Sequence, residues 1–253
     1  MLNTIQSFLV VIVAVGGCLL FLAGINWIWP REERHAHNDQ IGWQLSVLGT
    51  TYAVILGFML YAVWTNFGAA ESNTDLEANA LVNIYRLADG LPEQQRDEIK
   101  RLTRSYADIV LDQDWPLMAQ NQVPEASMDL NASMWKTLMS VKAATPAEIT
   151  AEDHALYELS ALTEHRRTRL LQSSSRLPTV LWCVLIVGGT VTAASACMFG
   201  SVNRTLHVLQ VFAFSLLISL ALVAIAEIHR PFQGAVRVST YAFERAQQNM
   251  RMP

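Results

Sequence analysis

A short polar stretch contains three side chains of the types that bind metal ions. His35, His37 and Asp39 lie within five residues, and imidazole and carboxylate groups both ligate metal ions. We interpret this stretch as a hydrated loop. The chain lacks a phosphate-binding glycine loop, the His-Glu-x-x-His and Gly-x-Ser-x-Gly motifs and the cysteine spacing of zinc sites. We therefore expect no catalytic residues, no metal and no cofactor, and we do not expect an enzyme.

Other reactive side chains lie within long apolar segments. The three cysteines, Cys18, Cys183 and Cys197, all lie in such segments. This placement predicts neither a disulfide framework nor a metal site. His207 lies near the end of its segment. Proton relays and coupled transporters usually carry ionisable groups inside the membrane. Their scarcity here disfavours a charge-coupled transporter.

Four runs without any Asp, Glu, Lys or Arg form these apolar segments. They comprise residues 8–29, 41–70, 177–203 and 205–226, and all 18 basic and 22 acidic residues lie outside them. A helix needs about 20 apolar residues to cross a bilayer. The sequence therefore predicts four spans embedded in a lipid bilayer. No basic residue precedes the first run and no cleavage site follows it, so we expect a retained span rather than a removable signal.

The second run carries two rows of residues at helical spacing. The small-residue row consists of Gly49, Ala53 and Gly57, and the neighbouring row consists of Thr50, Val54 and Phe58. Small residues at this spacing predict close packing against another helix. The neighbouring row presents a polar rim followed by two apolar side chains. At the axis of an oligomer it would form a hydrophobic neck, which gates by dewetting.

Basic residues are distributed unevenly around the predicted spans. One side of the membrane carries Arg31, Arg34 and Arg204. The other carries Arg166, Arg167, Arg169, Arg176, Arg230, Arg237, Arg245 and Arg251. Short basic flanks remain in the cytoplasm. We therefore expect both termini, and the segment between spans two and three, to be cytoplasmic.

The segment between spans two and three has the composition of a soluble domain, with 17 acidic and 11 basic residues in 71–176. Its apolar residues recur at helical spacing. Span two should continue into it as far as Gly90, and Thr145-Pro146-Ala147-Glu148 predicts a capped start of the helix that leads to span three. The predicted fold is all-α. It comprises transmembrane helices one and two in residues 1–70, a cytoplasmic helical domain in 71–176, transmembrane helices three and four in 177–228 and a cytoplasmic tail in 229–253.

Charged side chains near the membrane ends allow further interpretations. Glu77 would either line a conduit or pair with Arg86 or another neighbour on the helix surface. Glu227 and His229 fit a polar pair at the membrane edge.

Several short motifs lie in span two and near the ends of the predicted cytoplasmic helices. They are residues 48–64, Glu77-Ala-x-Ala-Leu, Tyr85-Arg86, Leu91-Pro92, Trp115-Pro116, residues 166–170, Leu177-Pro178 with Trp182, and Arg230-Pro231-Phe232-Gln-Gly234. Together they resemble the bestrophin-like domain family of bacterial four-span membrane proteins, which was long catalogued without an assigned function. The resemblance implies a multi-pass protein of the bacterial inner membrane.

A further resemblance connects the chain to bestrophin anion channels. Leu56-Gly57-Phe58 is similar to their pore-helix motif, and Ala226-Glu227 followed by Pro231-Phe232 is similar to the segment after their fourth span. By this match Thr50, Val54 and Phe58 fall on neck positions, and a pentamer with one central pore is implied. Gln233 to Arg237 replace the acidic run that forms the calcium clasp of animal bestrophins. Calcium gating is therefore not expected.

These observations favour a homo-oligomeric channel for small ions, with span two lining the pore. Acidic groups at Glu71, Asp75 and Glu77 would favour cations if they line a vestibule. The resemblance implies anions, and the sign of the ion stays open. The alternative is a non-conducting membrane-anchored scaffold or sensor whose helical domain binds a partner. The acidic domain disfavours nucleic acid as a partner.

Overall fold

A computed structural model describes residues 4–251, which form ten α-helices and no β-strand. The helices are α1 (Thr4–Ile28), α2 (Arg31–His35), α3 (Asn38–Leu87), α4 (Glu93–Ile109), α5 (Trp115–Ala119), α6 (Ala126–Leu138), α7 (Pro146–Ser174), α8 (Thr179–Cys197), α9 (Arg204–Ile228) and α10 (Tyr241–Arg251). The all-α prediction is confirmed. The outermost positions of the predicted first and last segments, residues 1–3 and 252–253, lie outside the described residues.

The chain divides into two compact units. We call residues 4–65 and 176–229 the membrane unit, and residues 66–175 and 230–251 the polar unit. Helix α3 contributes to both, because it runs without a break from Asn38 to Leu87 and is followed by a 3₁₀ turn that ends at Gly90.

The membrane unit contains the four helices that are long and apolar enough to cross a bilayer, α1, α3, α8 and α9. This confirms the four predicted spans. Pro178 precedes α8, and the Asn203 side chain caps α9 by accepting a hydrogen bond from the backbone N–H of Leu206 at 3.1 Å. These two residues fix where the last two spans begin.

Tyr52 packs α3 closely against α8. Its hydroxyl donates to the backbone oxygen of Leu185 at 3.0 Å. A Cβ atom added at Gly188 would lie 2.8 Å from the Tyr52 ring, and one at Gly189 would lie 2.8 Å from the Tyr52 hydroxyl. Glycine at both positions therefore permits the close approach of the two helices. A small apolar cluster around Val63, Leu185 and Ile225 continues this contact.

The connection between α1 and α3 is fastened to the turn between α8 and α9. The Arg34 side chain is fully buried, and it donates to the carbonyl of Cys197 at 3.0 Å and to the Asn26 side chain. Asn38 and Gly200 exchange two hydrogen bonds of 2.8 Å. Arg34 is therefore a buried cross-link within the membrane unit rather than an exposed flanking charge.

The polar unit has an extensive apolar core. It is formed chiefly by α4, α6, α7, α10 and the second half of α3, with Ile84, Ile99, Tyr106, Leu159 and Phe243 fully buried. The predicted capping box is confirmed at the start of α7, where Thr145 accepts from the backbone N–H of Glu148 and the Glu148 carboxylate accepts from that of Thr145. The C-terminal residues 230–251 belong to this unit.

Candidate functional site

The membrane part of α3 has one packed face and one exposed face. Tyr52 and Val63, each 6% exposed, lie on the packed face. We name the opposite side the outer face of α3, and it consists of Thr50, Val54, Phe58, Tyr61 and Thr65. Val54 is 52% exposed and Phe58 is 70% exposed. Because these residues recur every three or four positions, they form one continuous stripe along the helix.

The small-residue row beside the outer face packs against no other part of the described chain. Cβ atoms added at Gly49 and Gly57 would meet no neighbouring atom within 4 Å, and Ala53 is exposed. Within one chain, the close helix approach occurs at Gly188 and Gly189 instead. Packing through the Gly49–Ala53–Gly57 row stays a prediction that concerns other copies of the chain.

The polar unit contains a fully buried ion cluster centred on Arg169 of α7. The Arg169 guanidinium contacts both oxygens of Glu77 at 2.7 and 3.1 Å and the Oδ2 atom of Asp114 at 3.0 Å. The three side chains are 0% exposed. Tyr106 donates to Glu77 at 2.7 Å, and Ser127 donates to Asp114 at 2.7 Å. The cluster thus joins α3, α4, α6, α7 and the turn that precedes α5.

Burial and charge act together on the pKa values in this cluster. Burial is the main cause that raises the pKa of Tyr106 well above its ordinary value, and the charge of Glu77 adds to it. Tyr106 is therefore a neutral hydrogen-bond donor. Burial by itself lowers the pKa of Arg169, but the adjacent Glu77 carboxylate, with a smaller contribution from Asp114, raises it above the ordinary value. Arg169 stays charged, as its two carboxylate partners require.

Aromatic rings cover the cluster. Trp115 packs edge-on against Phe232 and Phe243, with ring centroids 5.5 and 5.9 Å apart, and the Arg169 guanidinium lies 5.8 Å from the Trp115 ring. A π-helical turn, Val110–Asp114, precedes Trp115-Pro116. Because Pro116 has no N–H to donate, regular helical bonding is interrupted here, and the turn places Asp114 beside Arg169.

The structure separates the three acidic residues expected to line a vestibule. Glu71 and Asp75 are exposed, and Asp75 borders a groove of about 340 Å³ between α3 and α10. Glu77 is fully buried, and its partner is Arg169 rather than Arg86. A buried, paired carboxylate presents no charge to ions in solution. Arg169 likewise does not act as a basic flank of the membrane, since its charge is held inside the polar unit.

The remaining candidate residues occupy packed positions. Glu227 accepts a hydrogen bond of 2.5 Å from Ser7, and this bond links α9 to α1. His229 packs edge-on against Trp182, with ring centroids 5.6 Å apart. Pro231 is buried and Phe232 is 1% exposed.

Metal-binding groups are not assembled in the part of the chain that the structure describes. Residues 4–251 contain no group of three or more His, Cys, Asp or Glu side chains that could hold a metal ion. His37 instead lies near the Trp29 ring, with centroids 6.2 Å apart.

Sequence reasoning missed the assembly of the ion cluster although it had singled out several of its parts. Glu77, Trp115, Arg169 and Phe232 all lie in the motifs that carry the family resemblance. Asp114 lies outside these motifs. Two signals for the cluster were available in the sequence. Asp114 immediately precedes Trp115-Pro116, and Tyr106 lies on the buried side of α4.

These features define a four-span helical membrane protein with a helical polar unit whose residues come from two separate parts of the chain. Comparison with known proteins identifies the family. The sequence profile of the Bestrophin-like domain matches residues 12–243, and the chain therefore belongs to the Bestrophin-like family. Among functionally curated proteins, none matches this chain in sequence.

Solved structures share the fold. A bacterial bestrophin homolog from Klebsiella pneumoniae is 13% identical, with 96% of each chain covered and a TM-score of 0.70. A single-site variant of a bestrophin homolog from the same organism is also 13% identical, with 97% of each chain covered and a TM-score of 0.72. A variant described as a membrane protein is 15% identical over 95% of each chain, with a TM-score of 0.65. This similarity confirms the fold expected from the bestrophin resemblance.

Proposed function

We propose that this chain is one subunit of a homo-oligomeric ion channel in which α3 lines the pore and Thr50, Val54 and Phe58 form the neck. The observation that carries the proposal is the composition of the outer face of α3. Hydroxyl groups of Thr50, Tyr61 and Thr65 flank the apolar side chains of Val54 and Phe58 on an exposed stripe. A polar stripe with an apolar constriction is the composition of a water-filled pore that gates by dewetting.

The exposed side of α1 provides the contrast. Between Phe8 and Leu20 its most exposed large side chains are hydrocarbon: Phe8, Leu9, Ile12, Val13 and Leu20. The most exposed large hydrophobic residue of the helix, Trp27, lies near its end. Hydrocarbon side chains are stable against lipid, whereas hydroxyl groups lose free energy when they leave water unless they find a hydrogen-bond partner. The Thr65 hydroxyl donates to the backbone oxygen of Tyr61 at 2.8 Å, so the contrast rests on Thr50 and Tyr61. We therefore assign α1 to the lipid boundary and α3 to the axis of the assembly.

The resemblance to bestrophins supplies the remaining parts of the proposal. The assembly is a pentamer in a bacterial inner membrane, with both termini and the polar unit in the cytoplasm. Glu71 and Asp75, repeated in every subunit, form the charged vestibule, and carboxylate rings of this kind favour cations. Glu77 is excluded from this role because its side chain is fully buried and paired with Arg169.

Ion flux through liposomes that contain the purified chain tests the proposal. Phe58→Ala and Val54→Ala widen the neck, and we expect each to raise K⁺ or Cl⁻ flux by about tenfold, equivalent to about 1.4 kcal/mol of barrier. Phe8→Ala is the matched control, since Phe8 is 68% exposed on α1 and should leave flux unchanged.

Absence of flux for both ions in the wild-type chain and in both neck variants would contradict the channel. Flux that is the same in the wild type and the neck variants would contradict the assignment of the neck. The first result would favour the non-conducting scaffold.

A further inference from the structure

Two cysteine thiols meet inside the membrane unit although they are far apart in sequence. The Sγ atoms of Cys18 in α1 and Cys197 at the end of α8 lie 3.6 Å apart, across 179 positions of the chain. The Cys197 sulfur also lies 3.7 Å from the Cys18 carbonyl oxygen. Two sulfurs in contact need only a short side-chain movement to form a bond.

The surroundings hold the two thiols in this contact. Cys197 is fully buried, and it packs in one cluster with Leu22 of α1 and Val211 of α9. The Arg34 guanidinium fixes the backbone of Cys197 through its 3.0 Å hydrogen bond to the carbonyl oxygen. Side chains from three spans and a buried arginine therefore set the distance between the sulfurs.

Cys18 is the accessible member of the pair. It is half-buried, and it borders a cavity of about 520 Å³ with mainly apolar walls from α1, α8 and α9. A small membrane-soluble reagent that enters this cavity meets the Cys18 sulfur first. Cys197 is fully buried and does not line this cavity. This is the arrangement of a thiol that reacts first with the oxidant and a resolving thiol that then completes the disulfide.

We propose that Cys18 and Cys197 are a redox-reactive pair that forms a reversible disulfide between α1 and α8 with a small membrane-soluble oxidant of the diazene class. The Cys18 sulfur adds to one nitrogen of the N=N bond, and its hydrogen passes to the other nitrogen. The Cys197 sulfur then attacks Cys18 and displaces the nitrogen, which takes up the second thiol hydrogen. One S–S bond forms, two S–H bonds break, and the diazene is reduced to a hydrazine.

Thiol counting on the full chain in membranes tests the pair. Cys183 is exposed on α8, so a Cys183→Ser background removes coupling between chains through this thiol and leaves two thiols. After treatment with diamide and denaturation, we expect maleimide labels per chain to fall from two to zero. The intact mass should fall by two hydrogens, and dithiothreitol should restore both labels. A proteolytic fragment should join the peptides that contain residues 18 and 197.

Single-cysteine chains are the controls. Cys18→Ser and Cys197→Ser, each in the Cys183→Ser background, should keep one labelled thiol and stay unlinked after the same treatment. Two labels that persist in the Cys183→Ser chain would overturn the proposal. Linkage found only between chains would overturn it as well.

Discussion

The two units of the molecule are stabilised differently. In the membrane unit, few residues of the spans are buried within the chain itself. In an apolar stretch of 18 residues, 11% of the residues are buried in α1 and in α3, and 28% are buried in α8 and in α9. The polar unit, in contrast, encloses a core in which Tyr106, Leu159 and Phe243 are fully buried. The polar unit is thus stabilised by its own interior. The membrane unit leaves most of its apolar surface for lipid and, in the proposed assembly, for other copies of the chain.

Charge follows the same division. The polar unit holds an ion cluster of Glu77, Asp114 and Arg169 away from water. Among the described residues, the spans of the membrane unit keep acidic and basic side chains at their ends, as with Glu227. The comparison indicates that specific buried contacts determine the structure of the polar unit. In the proposed channel, the exposed faces of the spans determine the function of the membrane unit.

The largest effect is expected from removal of the central cation of the polar unit. Arg169→Met leaves the Glu77 and Asp114 carboxylates buried without a cation, and the free energy of unfolding should fall by about 3–5 kcal/mol. Denaturant titration of the full chain in detergent, followed by circular dichroism, measures this change. Addition of Glu77→Gln should recover part of the loss, because it removes one unpaired charge.

An exposed ion pair provides the control for this prediction. Arg101 contacts Glu98 at 2.5 Å, but its side chain is 62% exposed. Arg101→Met should therefore change the free energy of unfolding far less than Arg169→Met. Equal effects of the two variants would contradict the structural role of the buried cluster.

A smaller effect is expected where α8 approaches α3. Gly188→Ala places a methyl group against the Tyr52 ring, which the hydroxyl bond to Leu185 holds in place. The free energy of unfolding should fall by about 1–3 kcal/mol in a titration with sodium dodecyl sulfate. Gly24→Ala, with open space around its Cβ position, should cause no loss. A neutral Gly188→Ala would show that this helix contact is loose.

The smallest effect is expected at the start of α7 in the polar unit. Thr145→Ala removes the cap on the Glu148 N–H and should cost about 1 kcal/mol in the same denaturant titration. Hydrogen bonds from the backbone N–H groups of Ala144 and Thr145 lower the pKa of Glu148. The stabilisation that Glu148 contributes is therefore present above its ordinary pKa and is lost as the pH falls through the lowered value. A Thr145→Ala chain as stable as the wild type would contradict the capping box.

Local patterns predicted much of the fold. Charge-free runs located the four spans, because lipid excludes charges from a helix of that length. The sequence from Thr145 to Glu148 predicted the start of α7 because a capping box involves only neighbouring residues. The continuation of span two beyond the membrane likewise followed from a helical pattern, and α3 extends to Leu87.

Contacts between distant parts of the chain were not predictable in this way. Glu77 and Arg169 are 92 positions apart, and nothing near either residue specifies the other. Arg34 and Arg169 were interpreted as flanking charges because burial depends on partners that the fold brings together. The cysteine contact between α1 and α8 was missed for the same reason. The small-residue row of α3 stays a prediction, and the close contact of α8 with α3 at Gly188 and Gly189 was not predicted.

The most direct test of the central claim, that the outer face of α3 lines an ion pathway, is thiol modification during ion flux. Thr50→Cys and Ile12→Cys, each in a chain with the native cysteines replaced by serine, place a thiol on the outer face of α3 and on the 65% exposed Ile12 position of α1. A water-soluble cationic methanethiosulfonate should react with Thr50→Cys in liposomes and change K⁺ or Cl⁻ flux by about tenfold. Ile12→Cys should stay unreactive, with flux unchanged. Unaltered flux in Thr50→Cys together with modification of Ile12→Cys would contradict the claim.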